Sequence, residues 1–162
     1  QIEMLKEKFN YGFIVQLMGI LGIIGSLIFV GLEMRQTQKI AVAGQHQSRS
    51  ALTIQTIRAM DDKGIDFQSV YFEQKYDYTF SPIEISHRNS IHLGYCVYEN
   101  DFYQFREGLM DETTWHSKLN GLKSLYEQCR MRPIYQVRAN TFSEEFRKLI
   151  ESFPDTCQNQ FD

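Results

Sequence analysis

No charged side chain occurs between Lys8 and Glu33, a run of 24 residues. The rest of the chain is short of other things. Its net charge is only −3, and Lys and Arg are scattered rather than gathered in a block or stripe, so the electrostatic footprint of a nucleic-acid binder is missing. The three cysteines, Cys96, Cys129 and Cys157, are 33 and 28 residues apart. That spacing matches neither a zinc module nor a dense disulfide framework, and the expectation is reduced, buried thiols. There is no glycine-rich phosphate loop, no G-x-S-x-G elbow and no Cys–His pairing of a known local type, so no enzyme class has positive support. Period-two alternation is nowhere sustained, and no Asn-Gly or Asp-Gly lies between β-rich runs, which argues for an all-α chain.

What is present begins with the uncharged run itself, FNYGFIVQLMGILGIIGSLIFVGL, residues 9–32. At about 1.5 Å per residue a helix of that length spans roughly 36 Å, enough to cross a hydrocarbon core of about 30 Å with some tilt. A cleaved signal peptide has a shorter apolar run and a small-x-small cleavage site, whereas this run continues directly into Glu33-Met34-Arg35-Gln36. An interfacial helix carries a charged face, and the only strongly polar side chain here is Gln16. One transmembrane helix is therefore predicted, behind a short flank of residues 1–8.

Gly19, Gly22 and Gly25 recur every three residues, and Ser26 stands four beyond Gly22. Such a stripe lets another helix approach closely, and the amide of Gln16 seeks a partner in hydrocarbon. Gln16, Gly19, Gly22, Gly25 and Ser26 form the candidate helix-packing interface, against a second copy or another membrane subunit. The run holds no His, Asp, Glu, Lys or Arg, so it offers neither a proton relay nor an imidazole for a metal. Lys6 and Lys8 flank one end and Arg35, Lys39 and Arg49 the other. That bias, with unpaired cysteines, points to a cytoplasmic C-terminal domain.

Beyond the anchor, residues 33–60 read as a helical stalk, in which Ile40, Ala43, Gln47, Ala51, Ile54 and Arg58 fall on one face. Asp61-Asp62-Lys63-Gly64 ends it and opens a bundle domain over residues 61–154. A second helix is predicted from Asp66 to Tyr76 with Phe67, Val70, Tyr71 and Gln74 inward. Ser81-Pro82-Ile83-Glu84 reads as a capping box with proline at the first position, starting a third helix that ends at Gly108. Along it Ile91, Tyr95, Tyr98, Phe102 and Phe105 step by four and three, a core seam. Asp111 caps a fourth helix carrying Trp115, Leu119 and Leu122. A short piece follows Pro133, Ser143 starts the last helix, and residues 155–162 read as a frayed tail.

Two constellations carry candidate chemistry. Glu84 and His87 stand at the i, i+3 spacing used by di-iron bundles, but those sites need the motif twice plus two further glutamates. No second copy exists, and a capping role accounts for Glu84. No metal, cofactor or catalytic residue is assigned. His92, Tyr95, Tyr98, Glu99, Tyr103 and Arg106 lie along or beside the aromatic seam as a possible polar pocket, weighed against a structural hydrogen-bond network.

The run SLIFVGLEMRQ from Ser26 to Gln36, with Glu99-Asn100-Asp101-Phe102-Tyr103-Gln104, Gly108-Leu109-Met110-Asp111 to Trp115, and Phe142-Ser143-x-x-Phe146, resembles a widespread group of uncharacterised bacterial single-pass membrane-anchored helical proteins. The likeness covers most of the chain and implies a bacterial inner-membrane anchor with a helical domain. It implies no activity, cofactor or catalytic residue. The stretch FQSVYFEQKYDYTF, residues 67–80, departs from the group. The expected role is a non-catalytic accessory or structural subunit in a homo-oligomer or larger membrane complex, an energy-converting one among the candidate hosts. The alternative is a membrane-tethered small-ligand sensor.

Overall fold

The computed structural model describes residues 2–157, with side chains from Tyr11 onward. The flank residues' side chains and residues 158–162 of the predicted tail lie outside the described residues. Every regular element is helical: α1 (Ile2–Asp61), α2 (Phe67–Tyr71), α3 (Pro82–Arg106), α4 (Glu112–Tyr126), α5 (Arg132–Arg138) and α6 (Glu144–Glu151), with 3₁₀ turns at Cys129–Met131 and Ala139–Thr141. The chain divides into two compact units, one up to Val42 and one from Ala43 on.

The first unit is a single stretch of helix whose side chains from Tyr11 to Val42 are all exposed. It belongs to the one helix among the described residues that is long and apolar enough to cross a membrane. Water does not tolerate such a run of exposed Ile, Leu, Phe and Val, whereas hydrocarbon solvates it.

The second unit takes in the last third of α1, so the segment predicted as a stalk belongs from Ala43 onward to the folded domain. Its inward face is Ala43, His46, Ser50, Ile54 and Ile57. The predicted face shares only Ala43 and Ile54 with it, because Gln47, Ala51 and Arg58 are exposed. With so few large apolar residues, the pattern did not define the helix rotation. α1 ends where Gly64 adopts φ +66°, with the Ile65 amide donating to the Met60 carbonyl at 2.9 Å.

α2 is a single short turn, not the helix to Tyr76 that was predicted. Asp66 caps it through the Ser69 amide. Tyr71 is 65% exposed and Gln74 sits at φ +53°, so neither Tyr71 nor Gln74 faces inward. α3 opens with the predicted capping box: the Ser81 amide donates to the Glu84 carboxylate at 2.9 Å and the Glu84 amide to the Ser81 hydroxyl at 3.3 Å.

The main core joins Ile91 and Tyr95 of α3, Leu122 and Tyr126 of α4, Ile134 and Tyr135 of α5, and Phe142, Phe146 and Ile150 around α6. Phe146, Leu122, Ile134 and Ile150 have no exposed surface, and full burial of each such side chain contributes roughly 1.5–3 kcal/mol. A smaller cluster of Ile57, Phe67 and Cys96 holds α1, α2 and α3 together. At Gly121 of α4 the Tyr98 hydroxyl of α3 occupies the space that a Cβ would fill.

The expectation of three free thiols is corrected. Cys129 and Cys157 form a disulfide with Cα atoms 5.3 Å apart, and only Cys96 is free. Residues 155–157 are accordingly not frayed: Asp155 accepts from Arg132 at 3.0 Å and Cys157 is 7% exposed.

Candidate functional site

The polar interior of the second unit contains two buried cations that are treated differently. Arg88 of α3 donates from Nε and Nη2 to the two oxygens of Asp66 at 2.7 and 3.1 Å. Asp66 also accepts from the Ser69 amide and hydroxyl at 2.8 and 2.6 Å. Burial alone would raise this carboxyl, but the Arg88 and Ser69 hydrogen bonds together hold it below the usual range. Asn89 completes the latch, accepting from the Phe67 amide and donating to Asp61 and the Ile65 carbonyl. Every group here is satisfied, so this network is structural.

Arg138, the last residue of α5, is 5% exposed, and among the described residues no carboxylate oxygen lies within the 4.0 Å of an ion pair. Its guanidinium meets the Cys96 sulfur at 3.2 Å and His92 Nδ1 at 3.4 Å, and Nε has no partner. The two groups it touches carry no compensating charge, and Glu99, which lines the same cleft, acts on it from beyond ion-pair distance. His92 is driven down to about 3, first by burial and then by the Arg138 charge, so its ring is neutral and accepts at Nδ1. Burial pushes the Cys96 thiol up, against the pull of Arg138. An unneutralised buried cation costs several kcal/mol in rough terms, which makes this the most unusual group in the domain.

Arg138 lines two adjoining clefts. One, of about 240 Å³, is polar and is bounded by His46, Arg49, Ser50 and Thr53 of α1 and by Glu99 of α3. The other, of about 260 Å³, lies between Thr53 and Thr56 on one side and Phe67, Tyr71 and Phe72 on the other. Thr53 and Arg138 belong to both. Glu99 has its carboxyl raised by burial, opposed by Arg138, His46 and the Ser143 amide. Two arginines, Arg49 and Arg138, and one carboxyl, Glu99, line the polar cleft, which therefore carries a positive balance.

A larger cavity, about 480 Å³, lies beside the disulfide, but its cation is held by a carboxylate and two further acceptors, with only Nε unpartnered. Arg132 donates to Asp155, to the Tyr126 carbonyl at 3.0 Å and to Cys157 sulfur at 3.1 Å, and stacks 3.7 Å over the Tyr126 ring. That arrangement anchors the C-terminal segment.

The six residues predicted as a pocket are not brought together. Glu99 lines the polar cleft, His92 touches it through Arg138, and Tyr103 stacks on His46 with ring centroids 4.1 Å apart. Tyr95 is core, packed on Tyr135 and Phe142, and its buried hydroxyl is pushed far above the ordinary tyrosine range, chiefly by desolvation. Tyr98 fills the space at Gly121, and Arg106 pairs with Glu145 at 3.2 Å on the surface. Sequence reasoning missed Arg138, Arg49, Ser50 and Thr53, since an arginine at the end of a short helix gives no sign that it is buried.

Glu84 is held in the capping box, and His87 Nε2 meets Gln128 at 3.2 Å. Among the described residues no group of three metal-ligating side chains forms. In the first unit, Gln16 is exposed, a Cβ added to Gly19, Gly22 or Gly25 would meet nothing within 4 Å, and the Ser26 hydroxyl donates to the Gly22 carbonyl at 2.8 Å.

Comparison with protein-family models, with curated proteins and with solved structures finds no match. The class therefore rests on the fold: an all-α chain with one helix long and apolar enough to span a membrane.

Proposed function

We propose that this chain is a single-pass, non-catalytic membrane subunit of the bacterial inner membrane that joins a homo-oligomer or a larger membrane complex through its anchor helix. The observation that carries the reading is the wholly exposed apolar run from Tyr11 to Leu32, interrupted by a glycine stripe with open space at Gly19, Gly22 and Gly25. In lipid, close backbone approach at small residues and an interhelical bond from Gln16 favour association. The full chain in mild detergent is expected to run larger than a monomer, and Gly22→Leu to shift it toward monomer. A wild-type chain that is monomeric at all protein-to-detergent ratios would refute the reading.

The cysteines bear on the domain's compartment. Disulfides persist in oxidising compartments, and the bond between Cys129 and Cys157 favours an extracytoplasmic domain. This outweighs a positive-charge bias of two flanking residues against three. A reporter fused after residue 162 that is active only outside the cytoplasm tests it, and activity of a cytoplasm-only reporter at that position would reverse it.

A ligand-sensing role is the second reading, favoured by the unneutralised Arg138 at the two clefts.

A further inference from the structure

We infer that the cleft between α1, α3 and α5 is a binding site for a small organic carboxylate, held by Arg138 and Arg49. The inference rests on the second unit alone and stands whether or not the anchor helix associates. Its foundation is the contrast between the buried arginines. Arg88 and Arg132 each have a carboxylate at 2.7 and 3.0 Å, whereas Arg138, which is deeper, has a thiol, a neutral imidazole and the Phe142 ring 5.5 Å away, and no carboxylate at ion-pair distance among the described residues. A guanidinium presents a planar donor fork suited to a carboxylate, and Arg138 lines open volume on two sides while its Nη atoms meet only the weak acceptor Cys96 and the His92 ring.

The other groups of the cleft fit the same ligand. Arg49 is exposed at the rim, where a second cation draws an anion inward. Ser50 and Thr53 supply hydroxyls, although the Ser50 hydroxyl already donates to the Cys96 carbonyl at 3.2 Å and the Thr53 hydroxyl to the Arg49 carbonyl at 3.3 Å. Both hydroxyl oxygens keep acceptor capacity, so the donors for a carboxylate are the arginines. Glu99 is the competing anion in the cleft, but it does not reach ion-pair distance of Arg138 and accepts from the Ser143 amide instead.

Size and lining narrow the ligand. The polar cleft, about 240 Å³, is below the roughly 300–1,000 Å³ of drug-sized sites, which limits the ligand to a few heavy atoms. The adjoining volume is walled by Phe67, Tyr71 and Phe72 and offers an apolar surface to a short or aromatic tail, while inorganic phosphate has no tail to place there. The ligand class is a monocarboxylate of the size of acetate to benzoate.

The test is thermal unfolding and calorimetric titration of the full chain in detergent, with acetate, benzoate and inorganic phosphate at constant ionic strength. A saturable rise in Tm is expected with benzoate or acetate and none with phosphate. Arg49→Gln, at an exposed position that leaves the fold intact, is expected to weaken carboxylate binding at least tenfold. Arg138→Lys, which keeps the charge and removes the fork, is expected to abolish it. No saturable response to either carboxylate, an equal response to phosphate, or unchanged affinity in Arg49→Gln would each overturn the proposal.

Discussion

Cys129, at the start of the turn after α4, is covalently joined to Cys157, 28 residues further on. The bond clasps α5 and α6 against the end of α4, with Arg132 bridging the same elements. In the chain-entropy account, closing a loop of this length stabilises by about 3.6 kcal/mol. Reductant, or Cys157→Ser, is expected to lower the unfolding free energy by about that amount, read from denaturant midpoints. Alkylation of protein taken from its native membrane should label Cys129 and Cys157 only after reduction. Labelling of both without reductant would remove the bond and the extracytoplasmic assignment together.

The acid stability of the domain is expected to depend on His92. Its folded pKa is about 3 against an ordinary 6.5, so the unfolded chain binds a proton that the folded one refuses. Stability from this group is therefore complete above about pH 6.5 and declines as pH falls toward 3, at roughly 1 kcal/mol per pH unit. The charges that act on the ring are Arg138, Asp66 and Arg88. Asp66, whose folded carboxyl is lowered, contributes stability lost only below the carboxylate range, while Glu99, whose folded carboxyl is raised, acts in the opposite direction to His92, so the histidine's share is the difference between wild type and a His92 variant over about pH 6.5 to 5. His92→Gln should flatten the stability profile in that window, and an unchanged slope would show that the ring protonates freely.

Arg88 and Asp66 provide a stability prediction with a different cause. Asp66 is fully buried and Arg88 nearly so, so Arg88→Met leaves a buried carboxylate with only Ser69 to satisfy it. Breaking such a pair from one side costs about 3–5 kcal/mol. The double change Arg88→Met with Asp66→Leu should recover part of that loss despite the vacated Ser69 cap. A double variant no better than the sum of the singles would show that no charge was stranded.

Arg88 in its local latch and Arg138 across the domain also show what the sequence could disclose. The helices of the domain were readable because their starts are local chemistry: Ser81 with Glu84, Asp111 with Thr114, Ser143 with the Phe146 amide. The seam from Ile91 to Phe102 was readable because large apolar residues repeat at helical spacing. The face of α1 was not, since Ala43, His46 and Ser50 bury themselves only because α3 happens to lie against them. The clefts were invisible for the same reason. Arg138 meets His92 and Cys96 across 46 and 42 residues, and no local pattern encodes such a meeting. The spacing of Cys129 and Cys157 was visible, but a single long-range disulfide has no sequence signature of its own.

Two glycines offer a final discrimination between packing already made and packing still open. At Gly121 an added Cβ would collide with the Tyr98 hydroxyl, and the half-buried ring has to move between α3 and α4 to admit it. Overpacking of this kind costs typically about 1–3 kcal/mol, so Gly121→Ala should lower the domain's Tm. Tyr98→Phe, which removes the colliding oxygen, should restore part of it. At Gly22 nothing lies within 4 Å, so Gly22→Leu should leave the domain's Tm and near-UV spectrum unchanged while altering the size of the particle in detergent. Should Gly22→Leu change neither Tm nor size while Gly121→Ala behaves as stated, the domain packing would stand and the anchor would be a lipid-facing helix without a protein partner.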